Sequence, residues 1–424
     1  MIGMIGIVAL LILFLVKVPV GISLIFVGFF GFSMIRTFEA GFIQLGASPF
    51  ATASSYSLIV IPLFIVMGMI LSYCNIGNDL FRAVDSWIGH VRGGMAFTTL
   101  GTSAIFSSIS GSVNATTASM SRITLPELKK YGYSPTLSAA SVAAGGTLGV
   151  LIPPSVILIL YGVLTMEPIG ALLVAGLVPG LINLLLFMFV VYIWVRKDPQ
   201  AGPPSEKSTW KTRFKMLSLV WPFMVLFLLT IGGIYFGIFT PTEAGAIGQP
   251  VHCCYRSLEG TSNDSKLESQ RDCPLFFFSG RLFSQFLAIS RIPTEVTSFV
   301  NQLDWSPIMI MIMILLVLLV LGLFLEGIAI LVLTLPVIYP IVMELGFDGI
   351  WFGIMMVMVI NIGLITPPLG ISVYIISGVM KDIKIERIFK AVIPMVAAML
   401  VAVILFILFP ELITFVPNLM TGGG

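Results

Sequence analysis

Two stretches decide the reading. One is Gly145-Gly146-Thr147-Leu148-Gly149-Val150-Leu151-Ile152-Pro153-Pro154-Ser155, the other Asn361-Ile362-Gly363-Leu364-Ile365-Thr366-Pro367-Pro368. Each interrupts a long apolar segment with glycine and then with a Pro-Pro pair. Such a pair removes two backbone donors and cannot continue a helix undisturbed. Each segment is expected to unwind part-way along and leave carbonyls free.

The two stretches belong to an internal repeat. At a lag of 214 residues, Pro126 meets Pro340, Gly132 meets Gly346, Gly149 meets Gly363, Pro153 meets Pro367, Pro154 meets Pro368 and Ile157 meets Ile371. These are six identities in 32 ungapped positions, where composition gives about two. Five are Gly or Pro, which fix backbone shape rather than packing. Tyr133 with Phe347 and Thr147 with Asn361 are near matches.

Composition places these segments in a membrane. Of 424 residues, 58% are hydrophobic and 10% charged, and mean hydropathy is +1.07. A soluble domain carries about 25% charged residues, so a water-covered enzyme is excluded. Net charge is +2, which excludes a nucleic-acid binder working through a basic surface. Four cysteines, none in a C-x-x-C spacing, and two histidines indicate neither a zinc site nor a disulfide framework.

Apolar runs long enough to approach a span, about 20 residues, recur at 1–16 with 22–35, then 57–72, 137–166, 171–195, 216–239, 308–325, 350–377 and 391–409. The first lacks a basic start and a cleavage site and reads as a retained helix. Two loops are basic, 196–215 and 381–390. The positive-inside rule puts both in the cytoplasm and the C-terminus outside. The expected division is a first repeat over 1–198, a cytoplasmic linker at 199–215 and a second repeat over 216–424.

Each repeat has a hairpin before its break. From Gly93 to Ser121 there is no charge, yet 13 of the 27 residues from Thr98 to Thr124 are Ser or Thr. That is too polar for a lipid-facing helix and too uncharged for a water-facing loop. A re-entrant hairpin over 93–126, its tip at Ser110-Gly111-Ser112-Val113-Asn114, fits both facts; a Ser/Thr-rich helix interface is the other reading. In the second repeat Glu326-Gly327, Pro336 and Pro340 suggest a span followed by a hairpin at 326–343. Interrupted spans at matching positions of two halves point to the binding site of a transporter.

Several runs resemble the large membrane subunit of tripartite ATP-independent periplasmic (TRAP) transporters, of the C4-dicarboxylate/sialic-acid permease type. They are Ile61 to Phe64, Phe106 to Ser119, Gly145 to Ser155, Phe239-Thr240-Pro241-Thr242-Glu243-Ala244-Gly245-Ala246, and Asn361 to Gly370. The resemblance covers nearly the whole chain. It implies an all-α polytopic membrane protein: an elevator-type transporter with two inverted repeats, each with a re-entrant helical hairpin and a broken transmembrane helix. It further implies sodium-coupled uptake of an organic acid anion across the bacterial inner membrane. The implied partners are a small four-helix membrane subunit and a periplasmic substrate-binding protein.

The residues suit that chemistry. Na+ is a hard cation that takes oxygen ligands. A first sodium site is expected at Ser103, Ser110, Asn114, Gly145 and Pro153, and a second at Gly327, Asn361, Gly363, Thr366 and Pro367. The substrate carboxylate is expected near Gly111, Ser112, Thr147 and Thr366, and no organic cofactor is called for. Glu243, after Thr240-Pro241-Thr242, reads as a helix cap. Glu326 stands open between an interfacial residue and a functional one.

Residues 249–282 break the pattern. They hold 8 charged side chains in 34 positions, against 34 in the remaining 390. The apolar pattern runs to Gly248 and resumes near Phe283. A compensated frameshift explains this, with a divergent loop as the alternative. Arg281 within an inserting helix would cost roughly 2.5–3.5 kcal/mol. Losing one crossing would make the repeats parallel, so an impaired transporter is expected.

Two other functions compete. An intramembrane serine protease would use Ser110, but needs a histidine within reach. An ion channel would not need the paired breaks. No G-x-x-x-x-G-K-[ST] loop supports an ATP-driven pump.

Overall fold

The structure is a computed structural model that describes residues 2–16, 18–54, 60, 62–64, 76–205, 207–246, 282–283, 285–290, 292–302 and 305–420. The described residues are helical without strands, in keeping with an all-α polytopic membrane protein. Most of the run at 57–72 and all of segment 249–282 except Leu282 lie outside the described residues.

The chain forms two compact units. One comprises Met1–Ile59, Thr261–Leu316 and Ile328–Gly349. It holds α1 (Ile2–Leu15), α2 (Val20–Ile35) and α3 (Phe38–Ala53). Glycines on α1 and α2 make room for aromatic rings. Gly6 and Gly31 face the Phe286 ring, and Gly28 lies against the backbone of Phe283. Both phenylalanines are fully buried.

The other unit comprises Val60–Gly260, Val317–Gly327 and Ile350–Gly424. Its first elements are α4 (Ile76–Ile88), α5 (Gly94–Ser110), α6 (Val113–Lys130) and α7 (Pro135–Thr147). After a 3-10 turn at Leu148–Val150 come α8 (Val156–Thr165), α9 (Ile169–Ala175), α10 (Leu177–Lys197) and α11 (Trp210–Tyr235). Every residue of α7 from Leu137 to Thr147 is buried. Its Ala139, Ala140, Ala143, Ala144, Gly145 and Gly146 are small, which lets helices approach closely in a membrane. α7 packs against both α5 and α6.

Four further helices lead up to the second break: α12 (Ile292–Asn301), α13 (Pro307–Gly322), α14 (Gly327–Glu344) and α15 (Gly349–Ile365). They are followed by α16 (Ile371–Val379), α17 (Ile385–Leu408) and α18 (Glu411–Met420). Ile169–Lys197, Gly327–Glu344 and Ile385–Leu408 are long and apolar enough to cross a membrane. α11 bends by 53° between Trp221 and Phe223, where Pro222 removes a backbone donor.

The first hairpin is α5 and α6, joined at Gly111-Ser112. It runs on through Pro126 to Lys130, past the expected end at 126. Asn114 lies in the first turn of α6 rather than in the connection. The second hairpin needs correction. α14 is one helix through Pro336 and Pro340, so these prolines do not break it. The turn is Leu323–Glu326, and α13, read from sequence as a separate span, precedes it as a first arm. α11 begins at Trp210, inside the linker expected at 199–215.

The base of the first hairpin is tied to the polar loop that follows α10. Gly93 N donates to Gly202 O (3.0 Å), Ser134 N to Ala201 O (2.9 Å) and Ser205 N to Gly89 O (3.2 Å). Met95 N donates to the Tyr133 hydroxyl at 3.1 Å, which serves an otherwise orphaned donor of the first turn of α5. Burial pushes the Tyr133 phenol up to about 12, so it stays protonated. Lys129, at the end of α6, pairs with Asp382 at 2.6 Å. The hairpin base thus lies with both basic loops.

Candidate functional site

Both expected breaks are present. α7 gives way to α8 across 148–155, and α15 to α16 across 366–370. Pro153–Pro154 and Pro367–Pro368 are both cis. The repeated identities have matching roles. Gly132 and Gly346 follow α6 and α14 with φ of +74° and +79°, a conformation that favours glycine. Pro126 and Pro340 lie inside those same helices. Ile157 and Ile371 open the second halves of the two broken helices.

Gly149 and Gly363 show the closest correspondence. A Cβ on Gly149 would stand 2.9 Å from Ser112 O and from Thr116 Oγ1, at the hairpin tip. A Cβ on Gly363 would collide with the backbone of Gly322, at the end of α13. Both glycines let hairpin backbone meet broken-helix backbone.

At the first break the tip is seated on the unwound segment. Val156 N donates to Gly111 O at 3.3 Å. Gly111 has φ +58°, and a Cβ there would meet Pro154 O at 2.6 Å. The Ser110 and Thr116 hydroxyls bond each other. Ser155 caps α8, accepting from Leu158 N at 3.3 Å. Pro153, Gly111 and Ser112 therefore lie together. Ser103 instead lies beside Gly145, with its hydroxyl where a Cβ would go. Ser103 and Ser110 are seven residues apart on α5, about 10 Å along the axis at 1.5 Å per residue. One ion does not touch both side chains, so the first group of five divides into two.

At the second break, Asn361 reaches the first. Its Nδ2 donates to Thr147 O at 2.9 Å, and both residues are buried. These two positions are equivalent under the 214-residue lag. The Thr147 hydroxyl turns back to Ala144 O at 2.7 Å, so the position offers its carbonyl rather than its side chain. Gly327 packs near Ile157 and Ile360. Thr366 Oγ1 donates to Ile362 O, and Thr366 is half-buried beside exposed Pro367 and Pro368. Leu369 N donates to Leu323 O at 3.2 Å, which fastens the second break to the turn after α13. Glu326 is exposed in that turn. Thr117 on α6 and Ser372 on α16 also meet, with hydroxyls 3.5 Å apart. Sequence reading missed that pair, which the lag does not relate, although Thr117 lay in the Ser/Thr-rich run.

The donor set suits a hard cation. Ser103 Oγ, Asn114 Oδ1 and Asn361 Oδ1 are buried without a hydrogen-bond partner. A buried polar atom left unpaired costs about 1–3 kcal/mol. Two of them, Ser103 Oγ beside Gly145 and Asn361 Oδ1 on the side chain bonded to Thr147 O, lie on or beside the helices that lead into the breaks and fit sodium, whose ligands would be these atoms and nearby carbonyls. Glu243 behaves as a cap: Thr240 N donates to its Oε2 at 2.8 Å and Glu243 N to Thr240 Oγ1 at 3.3 Å, a capping box. His90 precedes α5 and Ser110 ends it, about 25 Å away for a 17-residue helix. That pair cannot form a nucleophile and base.

Hairpins seated on broken helices in an all-α polytopic protein define a membrane permease. The profile of the family described as "Tripartite ATP-independent periplasmic transporter, DctM component" matches residues 7–258 and 273–412, and the chain belongs to that family. As such it is a multi-pass protein of the bacterial inner membrane. It is 33% identical to the C4-dicarboxylate TRAP transporter large permease protein DctM of Pseudomonas aeruginosa, over 88% of this chain and 89% of that one. It is also 33% identical to the isethionate TRAP transporter permease protein DctMQ of Oleidesulfovibrio alaskensis, over 84% of this chain. There it spans 57% of the relative's length. The crystal structure of the YdaH transporter of Alcanivorax borkumensis shares the fold, with a TM-score of 0.61 at 12% identity over 88% of this chain and 89% of that one.

Proposed function

We propose that the chain is the large permease subunit of a sodium-coupled, binding-protein-dependent secondary transporter that imports an organic acid anion by an elevator motion. The observation that carries this reading is the Asn361–Thr147 bond. It joins the two broken helices at repeat-equivalent positions, beside buried oxygens that lack partners. Sodium would be held by Ser103 with Gly145 and by Asn361 with the carbonyls around Gly363 and Thr366. The anion would lie by Gly111, Ser112 and Thr366, where Ser112 offers a half-buried hydroxyl and the Thr366 hydroxyl would have to turn from Ile362 O to donate. C4-dicarboxylates, sialic acids and isethionate share an anionic oxygen group, and this is the class such a site takes. A small four-helix membrane subunit and a periplasmic binding protein complete the system.

Residues 249–282 are proposed to be out of frame, with transport impaired as a result. The family profile also leaves residues 259–272 unmatched, inside this segment. The test is uptake of labelled organic acids into liposomes holding the chain, its small subunit and its binding protein, with and without a sodium gradient. A second preparation has 249–282 restored by re-framing. Sodium-dependent, saturable uptake by the restored version alone is expected. Equal uptake by the chain as written would overturn the frameshift. Ion current without saturable uptake in either version would overturn the transporter.

A further inference from the structure

The second unit contains an apolar cleft that the transport reading does not use, although Ile152 of the first break is part of its lining. Its volume is about 710 Å³. It lies between α4, α5, α10 and α11, and is lined by Trp87, Ala104, Leu181, Met188, Leu217 and Leu228 among others. Ser108 is the polar side chain in the lining, and its hydroxyl already donates to Ile105 O at 2.6 Å. From Leu217 to Leu228, α11 covers about 16 Å at 1.5 Å per residue. That is close to one leaflet of a hydrocarbon core about 30 Å thick.

One end of this cleft is built differently. Trp87, which lines it, packs edge-on against Trp210 and Phe214. The Arg213 guanidinium stands 5.7 Å from the Trp87 ring and 5.0 Å from the Trp210 ring. Its Nε donates to Ser86 O at 3.0 Å, which holds the side chain in place. Among the described residues Arg213 has no carboxylate partner. Lys211 and Lys215 flank it and are exposed. Tryptophans beside a basic loop mark the cytoplasmic interface.

We propose that this cleft holds an acyl chain of an anionic phospholipid, with the lipid phosphate on Arg213. A planar guanidinium pairs well with phosphate oxygens, and its orientation here is already fixed. Charge argues against a neutral or zwitterionic lipid, because Arg213, Lys211 and Lys215 form no salt bridge among the described residues.

The test is native mass spectrometry of the full chain after detergent purification and exchange into phosphatidylglycerol or phosphatidylcholine. One phosphatidylglycerol per chain should be retained, and phosphatidylcholine at least fivefold less. Arg213→Gln should lower phosphatidylglycerol retention about fivefold and leave phosphatidylcholine unchanged. Leu228→Trp, at an exposed position and so tolerated by the fold, should block the cleft and lower retention of both. Lys384→Gln, on the other basic loop, should change neither. Equal retention of the two lipids, or unaltered phosphatidylglycerol binding in Arg213→Gln or Leu228→Trp, would overturn the proposal. So would loss of the bound lipid when the small membrane subunit is co-purified, since that would make the subunit the occupant.

Discussion

The break after α7 and the break after α15 share one plan and are finished differently. From Ser141 to Ser155 every residue of the first is buried, and Val156 N donating to Gly111 O closes its seam with the hairpin. Its helix tightens into a 3-10 turn and restarts from a Ser155 cap. The second remains α-helical to Ile365, exposes Pro367 and Pro368, and restarts from Gly370 at φ +45° without a side-chain cap. The same Gly…Pro-Pro pattern produces both breaks. How closely each is sealed depends on the hairpin opposite: a Ser-Gly-Ser tip against the first, and Leu323-Phe324-Leu325 against the second.

The largest effects should come from the glycines where hairpin and broken helix touch. Gly149→Val and Gly363→Val both overpack, at a typical cost of about 1–3 kcal/mol. Gly363 should lie at the upper end, because its Cβ would meet main-chain atoms of Gly322 that cannot rotate away. At Gly149 the contacts include the Thr116 hydroxyl, which can turn. Thermal unfolding in detergent measures the difference. A smaller loss at Gly363 than at Gly149 would show that the Gly322 backbone yields, and that the second seam is looser at its glycine contact as well as at its exposed prolines.

Next in size is the bond joining the breaks. Asn361→Leu leaves Thr147 O buried without its donor, an expected loss of about 1–2 kcal/mol. Thr147→Val removes a hydroxyl bonded only within its own turn and should cost less. Equal destabilisation by the two would show that the cross-repeat bond does not matter. In transport by the version with 249–282 re-framed, Asn361→Leu should raise the sodium concentration needed for half-maximal uptake several-fold, and Thr147→Val should not.

The sequence made the first hairpin legible and half-hid the second, for a physical reason. Ser110-Gly111-Ser112 is a turn in its chemistry, because glycine takes positive φ and serine competes for backbone bonds. Leu323-Phe324-Leu325 carries no such signal and reads as more span. Pro336 and Pro340 then mislead, because membrane helices tolerate proline when neighbouring groups re-satisfy the backbone. α4 was passed over because its polar face, with Asn78, Asp79, Arg82 and Asp85, hides its buried one. At the site, repeat arithmetic located Gly149, Gly363, Thr147 and Asn361. It could not reveal that the last two touch, because a lag relates equivalent positions without saying which lie near the repeat axis. Thr117 and Ser372 meet with no lag between them, and a contact of that kind needs the fold.

A subtler effect separates a cation ligand from a structural hydroxyl. Ser103 Oγ is buried beside Gly145 and has no partner. Ser103→Ala should therefore leave unfolding temperature unchanged or slightly raised without sodium, since it removes a desolvated polar atom. The rise that sodium induces should fall by at least half. A lower unfolding temperature in sodium-free buffer would assign Ser103 to packing. The matching substitution at the second break, Asn361→Asp, keeps an oxygen there and should retain a sodium response that Asn361→Leu loses.

The smallest effect is expected where the two basic loops meet. Lys129 and Asp382 are 2.6 Å apart, but both side chains are more than three-quarters exposed. The hydrogen bond and charge of Lys129 hold the Asp382 carboxyl below the usual carboxylate range. A lowered folded value means that the pair stabilises above the ordinary aspartate value. That contribution fades as pH falls through the lowered one. Asp382→Asn should therefore lower the unfolding temperature slightly at pH 7, and by less as the pH approaches 3. Exposed pairs are screened by salt, so the small difference at pH 7 should vanish in 1 M salt. A drop of several degrees that persists in salt would mean that Asp382 braces the base of the first hairpin, and that the seal at the first break reaches down to the basic loops.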